Sequence, residues 1–508
     1  MAQPISAVGK EGLSPPEVVR VVAIDLGASN GRVFVAELGE EHFEFTQVHR
    51  FWNGDVRVGN HIHWDVLGLH RGILDGIRVA GRMGRLDSIG IDSWGVDYGL
   101  LDADGALLGN PVHYRDDRTR DVVDLVVGNL GALNLYRRSG IAVMPFNTIF
   151  QLVAGRDDAQ FALARTLLLV PDLLAYWLTG SLGAEETNAS TTQLLGIDGS
   201  GWDDGLIEKI GVSRHLFPAL RRPGEQLGPV LPEVLAETGL DHAVAFTAVA
   251  SHDTASAVAA VPAVDSGFAF ISSGTWSLVG VELDKPVLSE ESLAAGFTNE
   301  RGVDGSILFH RNVMGLWLLQ ESIRTWERLG RSFSLEELLS WAAVEPPLRS
   351  VFDPDDPVFF PPGDIPARIT NLCRSLGQPT VETPAQITRS ILDSLALAYR
   401  RSSHLACALS GKRVEVIHIV GGGVHNTLLC QLTANACGLP VVAGPVEAAA
   451  IGNALVQAQA LGAVPAGRWA ARAIVVNRME LLVYEPFEAE AEHWAAAEAS
   501  LARARGPK

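Results

Sequence analysis

Cysteine is scarce in this chain: Cys373, Cys407, Cys430 and Cys437 are the only four among 508 residues. No two stand as CxxC, which excludes a disulfide-stapled scaffold and a thiolate-held zinc. Cys430 and Cys437 lie seven apart, one face of a helix if that segment is helical, and read as core residues. Basic charge is short too. Against 59 Asp and Glu stand 40 Lys and Arg, a formal net charge of −19, the reverse of the basic stripe that nucleic acid or an anionic membrane requires. Long apolar runs are missing: "TLLLVPDLLAYWLTG" (166–180) is cut by Pro171-Asp172, well short of the roughly 20 residues of a membrane span. Residues 1–19 lack a signal-peptide core and carry Pro15-Pro16, so a disordered tail on a cytoplasmic protein is expected. GxxxxGK[ST] is absent and "GGGVHN" (421–426) does not complete GxGxxG, which removes the P-loop and dinucleotide readings.

What is present is apolar residue in plenty, 47% of the chain, and a length beyond the roughly 250–300 residues at which one core stops growing. Two domains follow. "VVRVVAIDLGASNGRVFVAEL" (18–38) reads as strand, Gly/Ser/Asn turn, strand. "GFAFISSGTWSLVGVEL" (267–283) repeats that pattern half a chain later, as duplication of one domain would leave it. The boundary falls near Pro262. "DSIGIDSWGVDYGLLDADG" (87–105) reads as another strand pair closed by Asp104-Gly105, and helical patterns cover about 120–180, 202–212, 313–344 and 384–410. "VEVIHIVGGGVHNTLLCQLTANACGLPVVAG" (414–444) gives strand, three glycines, helix, strand. The mixture specifies an α/β architecture with helices packed on sheets.

Each glycine turn follows an apolar strand, where backbone amides can face a phosphate without intervening side chains. "DLGASNGR" (25–32) and "SSGTWS" (272–277) are such turns, and "GGGVHN" opens a helix whose N-terminus suits an anion. "AVASHDTASAV" (248–258) raises a different question. It sets His252 and Asp253 in a run of small apolar residues, where an unpaired charge costs several kcal/mol. The pair is either a helix cap through Asp253 or Thr254, or a site.

Together these segments carry a family resemblance. Asp25-Leu-Gly-x-x-x-Gly-Arg, Ser273-Gly-Thr275 and Gly421-Gly-Gly-x-x-Asn426 resemble the two phosphate loops and the adenosine loop of the actin-like ATPase superfamily. Within it, "IDLGASNGRV", "SIGIDSWGVDYGLLD", "YRDDRT", "FNTIFQL", "TNASTTQLL", "VASHDTASAV", "SSGTWSLVG", "MGLWLLQE" and "IVGGGVHNTLLCQLTANACGLPVVAGPVEAAAIGN" are similar, in order over about residues 20–460, to the FGGY carbohydrate kinases. The resemblance implies an α/β fold of two actin-like ATPase (ribonuclease H-like) domains flanking a central cleft. Residues 20–262 would hold the sugar site, the first phosphate loop and the base, and residues 263–490 the second phosphate loop and the adenosine site.

Site roles follow from the resemblance residue by residue. Asp253 is expected as the base that accepts the sugar proton, and His252 as the residue holding the sugar beside it. Asp25 is expected to hold Mg²⁺ through water. Ala28, Ser29, Asn30, Gly31 and Arg32 match the first nucleotide loop, with Asn30 standing where the family has Ser. Thr275, Asn312, Gln320 and Gly422 match nucleotide contacts of the second half; Asn312 and Gln320, eight apart, would face one cleft from two helical turns. Gly95 matches a close backbone approach to the ketose. Trp94 reads as a sugar-facing wall or a core residue, and Asp97, Arg115, Asp116 and Arg118 as hydroxyl partners or a salt-bridge cluster. His61 and His63 carry no motif. The implied activity is ATP-dependent phosphorylation of a ketose, L-rhamnulose to its 1-phosphate, with L-fuculose, a pentulose or glycerol as alternatives. A nucleotide-driven switch is the alternative from another class. Substrate ketose, ATP and Mg²⁺ are the expected partners, with no nucleic acid, membrane or obligate protein.

Overall fold

The computed structural model describes residues 16–505. The expected tail, residues 1–19, lies outside them except for its last four positions. Two mixed sheets carry the chain. The first is built from β1 (Val19–Leu26), β2 (Asn30–Leu38), β3 (Phe43–Trp52), β4 (Ser88–Ser93), β5 (Gln226–Pro229) and β6 (Ala245–Thr247), in the order β3-β2-β1-β4-β6-β5. The second comprises β7 (Phe268–Ser273), β8 (Trp276–Leu283), β9 (Thr298–Arg301), β10 (Ile307–Met314), β11 (Val416–Val420), β12 (Val441–Ala443) and β13 (Leu482–Tyr484), in the order β9-β10-β8-β7-β11-β12-β13. In each, an antiparallel meander is followed by two strands parallel to its first: β3-β2-β1 then β4 and β6, β10-β8-β7 then β11 and β12. The duplication legible in the two hairpins therefore extends through five strands of each half.

Seven helices matter for the site: α1 (Val66–Gly81), α2 (Val170–Thr179), α3 (Asp253–Ala259), α4 (Trp317–Arg328), α5 (Pro384–Ser410), α6 (Thr427–Cys437) and α7 (Ala448–Ala460). Successive side chains of a strand point to opposite faces, and β1 is apolar on both. Val22, Ile24 and Leu26 pack with α1 and α2, whereas Val21 and Ala23 pack with α3 and α7. β7 behaves alike: Ala269 and Ile271 join α5 and α6, and Phe268 and Phe270 join the cluster of α3 and α7. Helices α3 and α7 thus lie between the two sheets.

The contact between them is close because its residues are small. A Cβ at Gly452 would stand 1.9 Å from the Ser256 carbonyl oxygen, so only glycine allows this approach. Ile451 and Leu455 of α7 are fully buried, and at roughly 1.5–3 kcal/mol each they supply on the order of 3–6 kcal/mol of the adhesion between halves.

Two expectations need correction. The pair in 87–105 is not a pair: Ser88–Ser93 lies in the first sheet, while Tyr98–Leu101 pairs with Thr166–Leu169. The stretch 313–344 begins as strand, since β10 runs to Met314 and α4 starts at Trp317. Pro171, which cuts the apolar run, occupies the first turn of α2, where its missing N–H is no loss.

Candidate active site

The two parallel strands β1 and β4 end together, with Asp25 opposite Asp92 in register. Beside them the chain before α3 is held by a 2.8 Å bond from Ser93 N–H to the Ser251 carbonyl. Helix α3 therefore begins, with Asp253 as its first residue, next to both strand ends. His252 takes the cap position but makes no capping bond, so the pair is not there as a cap.

Burial dominates the electrostatics of these carboxylates. It pushes Asp25 up to about 6, against the Arg32 guanidinium 2.6 Å away and with the Asp253 and Glu447 charges adding to it. Burial likewise drives Asp92 well above the usual carboxylate range, with Asp25 reinforcing it and a hydrogen bond from Asn453 opposing it. Arg32 commits its guanidinium to Asp25 and to Glu447 of the second half, leaving its backbone to face the turn. Asp253 is deep in the molecule, yet 34% of its side-chain surface is exposed. Burial raises its pKa and the charge of His252 lowers it.

His252 is more enclosed. Its Nε2 lies 3.5 Å from Asp253 Oδ1 and its Nδ1 3.0 Å from Glu300 Oε2, the latter a close ion pair. Burial opposes the imidazolium, but Glu300, then Asp253 and Glu185, overcome it and bring His252 to about 9. The backbone carrying the pair is fixed by Glu185, whose Oε2 accepts from Ser251 N–H at 2.9 Å and Ser251 Oγ at 2.8 Å. His252 N–H donates to Thr187 Oγ1 at 3.2 Å.

The glycine turns are open. In the β1–β2 turn Ala28 and Ser29 are exposed and Gly27 N–H closes on the Asn30 carbonyl at 3.0 Å. Asn30 Nδ2 donates to Ser29 Oγ, and Gly31 is buried against Phe51. In the β7–β8 turn the carbonyls of Gly274 and Thr275 accept from Leu316, Gly315 and Trp317, which anchors the start of α4 to it. Gly422 opens a short 3₁₀ turn ahead of α6, with nothing within 4 Å of where a Cβ would stand. Asn312 and Gln320 are not on one helix: Asn312 lies on β10 and lines the cleft, and Gln320 is exposed at the first turn of α4.

On the other wall Gly95 follows β4, where a Cβ would meet Thr191 Oγ1 at 2.8 Å. Val96 adopts φ +68, a conformation β-branched residues avoid. Its N–H donates to Thr191 Oγ1 at 3.0 Å and its carbonyl accepts from Thr148 Oγ1 at 2.7 Å. Val96, Ile141, Ala142, Met144 and Phe146 form an apolar side of a cleft of about 180 Å³. Glu300 and Asn312 face it from the second half. Trp94 is core: its ring lies tilted against Trp64 with centroids 4.0 Å apart, and it donates to Asp97. Asp97 also accepts from Trp64, Gln151 and Tyr114, so its carboxylate is saturated rather than offered to a sugar. Asp116 accepts from Ile62, His61 and Arg118, Arg118 donates to Gln151, and Arg115 lies over the ring of Trp317 at 4.9 Å.

Asp92, Glu185, Glu300 and Glu447 join the site without having been singled out in the sequence. Asp92 left a signal, because "GIDSW" repeats the strand-ending Asp of "AIDLG"; Glu300, forty-seven residues beyond Asp253, left none.

Two ribonuclease H-like halves with carboxylates at the strand ends between them define the actin-like ATPase class. The N-terminal domain of the FGGY family of carbohydrate kinases matches residues 78–260 and its C-terminal domain residues 269–461, and the chain belongs to that family. It is 43% identical over 443 residues to a rhamnulokinase of Bacteroides thetaiotaomicron, covering 87% of this chain and 90% of that protein. It is 44% identical over 485 residues to a rhamnulokinase of Pectobacterium carotovorum, covering 94% and 95%. Among solved structures it resembles a ligand-bound xylulose kinase from Lactobacillus acidophilus, at TM-score 0.80 and 17% identity over 96% of this chain and 97% of that one. Glycerol kinase of Plasmodium falciparum with ADP aligns at TM-score 0.77 and 14% identity over 97% and 99%.

Proposed function

We propose that the protein transfers the γ-phosphoryl group of ATP to O1 of L-rhamnulose, with Asp253 as the base. The observation that carries this reading is identity of 42–44% to proteins named rhamnulokinase over at least 87% of the chain. Residues 20–262 act as the sugar-binding and base-bearing domain, and residues 263–490 as the domain that takes the adenosine. The ketose lies against Gly95 and His252 in the cleft. Ala28 to Arg32 and Thr275 present backbone amides to the phosphates, and Gly422, Asn312 and Gln320 face the rest of the nucleotide.

The transfer passes through a loose transition state, so orientation and charge neutralisation do most of the work. Asp253 accepts the sugar hydroxyl proton as its oxygen attacks, and His252 donates to the sugar beside it. Bringing the halves together around α3 and α7 excludes water, which otherwise competes as acceptor. The donor chemistry at the strand ends fits Mg²⁺: Asp92 Oδ1 is buried without a hydrogen-bond partner. Asp25 and Asp92 would hold the ion, and when bound it neutralises charge on the triphosphate. No helix among the described residues is long and apolar enough to cross a membrane, and a cytoplasmic location gives access to ATP.

ADP release with MgATP and a panel of L-rhamnulose, L-fuculose, D-xylulose, D-ribulose and glycerol tests the reading. L-rhamnulose should give the highest kcat/KM. Preference for another sugar would replace the substrate, and no sugar-dependent release would turn the reading to a nucleotide-driven switch.

A further inference from the structure

The second half sends one buried carboxylate against the catalytic segment of the first. Glu300 stands on β9, a strand paired with β10, and is 8% exposed. Its Oε2 lies 3.0 Å from His252 Nδ1 and its Oε1 3.6 Å from His310 Nε2, and beyond His252 stands Asp253. Glu300 Oε2, His252 Nδ1 and His310 Nε2 are all shut off from solvent with no further hydrogen-bond partner. Electrostatic attraction is what keeps them together, and a buried carboxylate without a cation would be costly. The titratable groups facing His252 are Asp253 on its own segment, Glu185 behind the Ser251 backbone, Glu300 on β9 and His310 on β10.

Burial opposes the charge on His310 and a charged His252 repels it, so the two histidines that share this carboxylate divide the roles. Glu300 favours the charged form at His252, while burial keeps His310 below its ordinary value. Glu300 then stands between a charged His252 and a neutral His310.

We infer that Glu300 is a positioning residue for the phosphoryl transfer, supplied by the second half of the chain, that holds the His252 imidazole charged with Nε2 turned toward Asp253 and the sugar. A charged His252 favours the ionised form of Asp253, against the burial that raises its pKa. Because Glu300 belongs to the opposite half, this arrangement exists only while the halves are together. Assembly of the base is thereby coupled to closure. The inference rests on Asp253 being the base.

The test compares wild type with Glu300→Gln, which keeps shape and removes charge, and with Glu300→Asp. Glu300→Gln should lower kcat/KM for L-rhamnulose by roughly 30-fold or more and shift the acid limb of the kcat profile upward, with the KM for MgATP changing by less than about threefold. Glu300→Asp should restore part of the loss. Adding Glu300→Gln to His252→Asn should cost less than about threefold more, since both act through one imidazole. An activity of Glu300→Gln within about threefold of wild type, or multiplicative losses in the double variant, overturns the inference. Should Glu300→Gln fail to fold, NMR of the wild-type His252 side chain decides: a cation at about pH 8 supports it and a neutral ring overturns it. Turnover retained by Asp253→Asn would instead defeat the reading on which it rests.

Discussion

Asn453 donates from Nδ2 to Asp92 Oδ2 across 2.7 Å, joining residues 361 apart in sequence and from opposite halves of the molecule. The same Asn453 accepts from Gln457, which also donates to the Val22 carbonyl in the middle of β1. Helix α7 is thus bonded, not merely packed, to the sheet of the other half. Replacing Asn453 by Leu leaves a buried carboxylate with no donor, a loss of roughly 1–3 kcal/mol. Thermal unfolding should show a Tm several degrees lower, and an unchanged Tm would mean the bond contributes nothing.

Asp253→Asn removes the proton acceptor and keeps the size of the side chain. Sugar-dependent ADP release should fall by roughly 10²–10⁴-fold. Nucleotide affinity, followed by titration calorimetry, should change little.

Asp25 is held near 6, so protons compete with a cation for it below that pH. In the wild type the Mg²⁺ concentration for half-maximal rate should fall as pH rises from about 5.5 to about 7.5. Asp25→Asn should raise that concentration by about tenfold or more and flatten its pH dependence.

Val96 is strained and faces the cleft. Val96→Gly exchanges strain of about 1–3 kcal/mol for the entropy cost of glycine, about 1 kcal/mol, and the lost apolar contact. Stability should move by about 1 kcal/mol or less in denaturant titrations. The apolar wall would suffer more. Selection of L-rhamnulose over L-fructose, which carries a hydroxyl on the terminal carbon, should drop by about tenfold. An unchanged ratio would place the sugar's methyl end elsewhere.

His252 also makes stability depend on alkaline pH. Burial disfavours its cation, but Glu300 and its neighbours raise it from 6.5 to about 9. A histidine raised in the folded state stabilises fully below its unfolded value and loses that contribution as pH climbs through the folded one. Tm should therefore decline between about pH 7 and about pH 9.5 more steeply in the wild type than in His252→Asn. Glu300, lowered from its ordinary value, loses its own contribution only in acid.

Local signals were the readable part of this chain. The glycine hairpins at 25–32 and 272–277 and the helix at 384–410 stand where pattern and turn chemistry put them, the helix opened by Thr383 and Pro384 and closed by Gly411. Strand β10 went unassigned, its last two residues taken into the following helix, because six of its eight residues are buried, which erases the alternation that marks a half-exposed strand. The partnerships of Asp92 with Asn453 and His252 with Glu300 had no local signature at all. They arise where two sheets meet, and spacing along the chain carries no trace of them. Asp97 illustrates the converse: its place in "DSWGVDY" suggested a ligand, yet two indoles, an amide and a backbone N–H take its oxygens.

The position of α7 has a further consequence, for how the protein is born. The first sheet ends its own strands by residue 247, but the helix that covers one of its faces is not synthesised until residues 448–460. At roughly 5–20 residues per second, the nascent first half waits on the order of 10–40 seconds with the face of Val21, Ala23, Phe34 and Ala36 covered by α3 but not yet by α7. Until then apolar surface that α7 buries in the finished protein stays open to water, and an amino-terminal half made alone would keep it so.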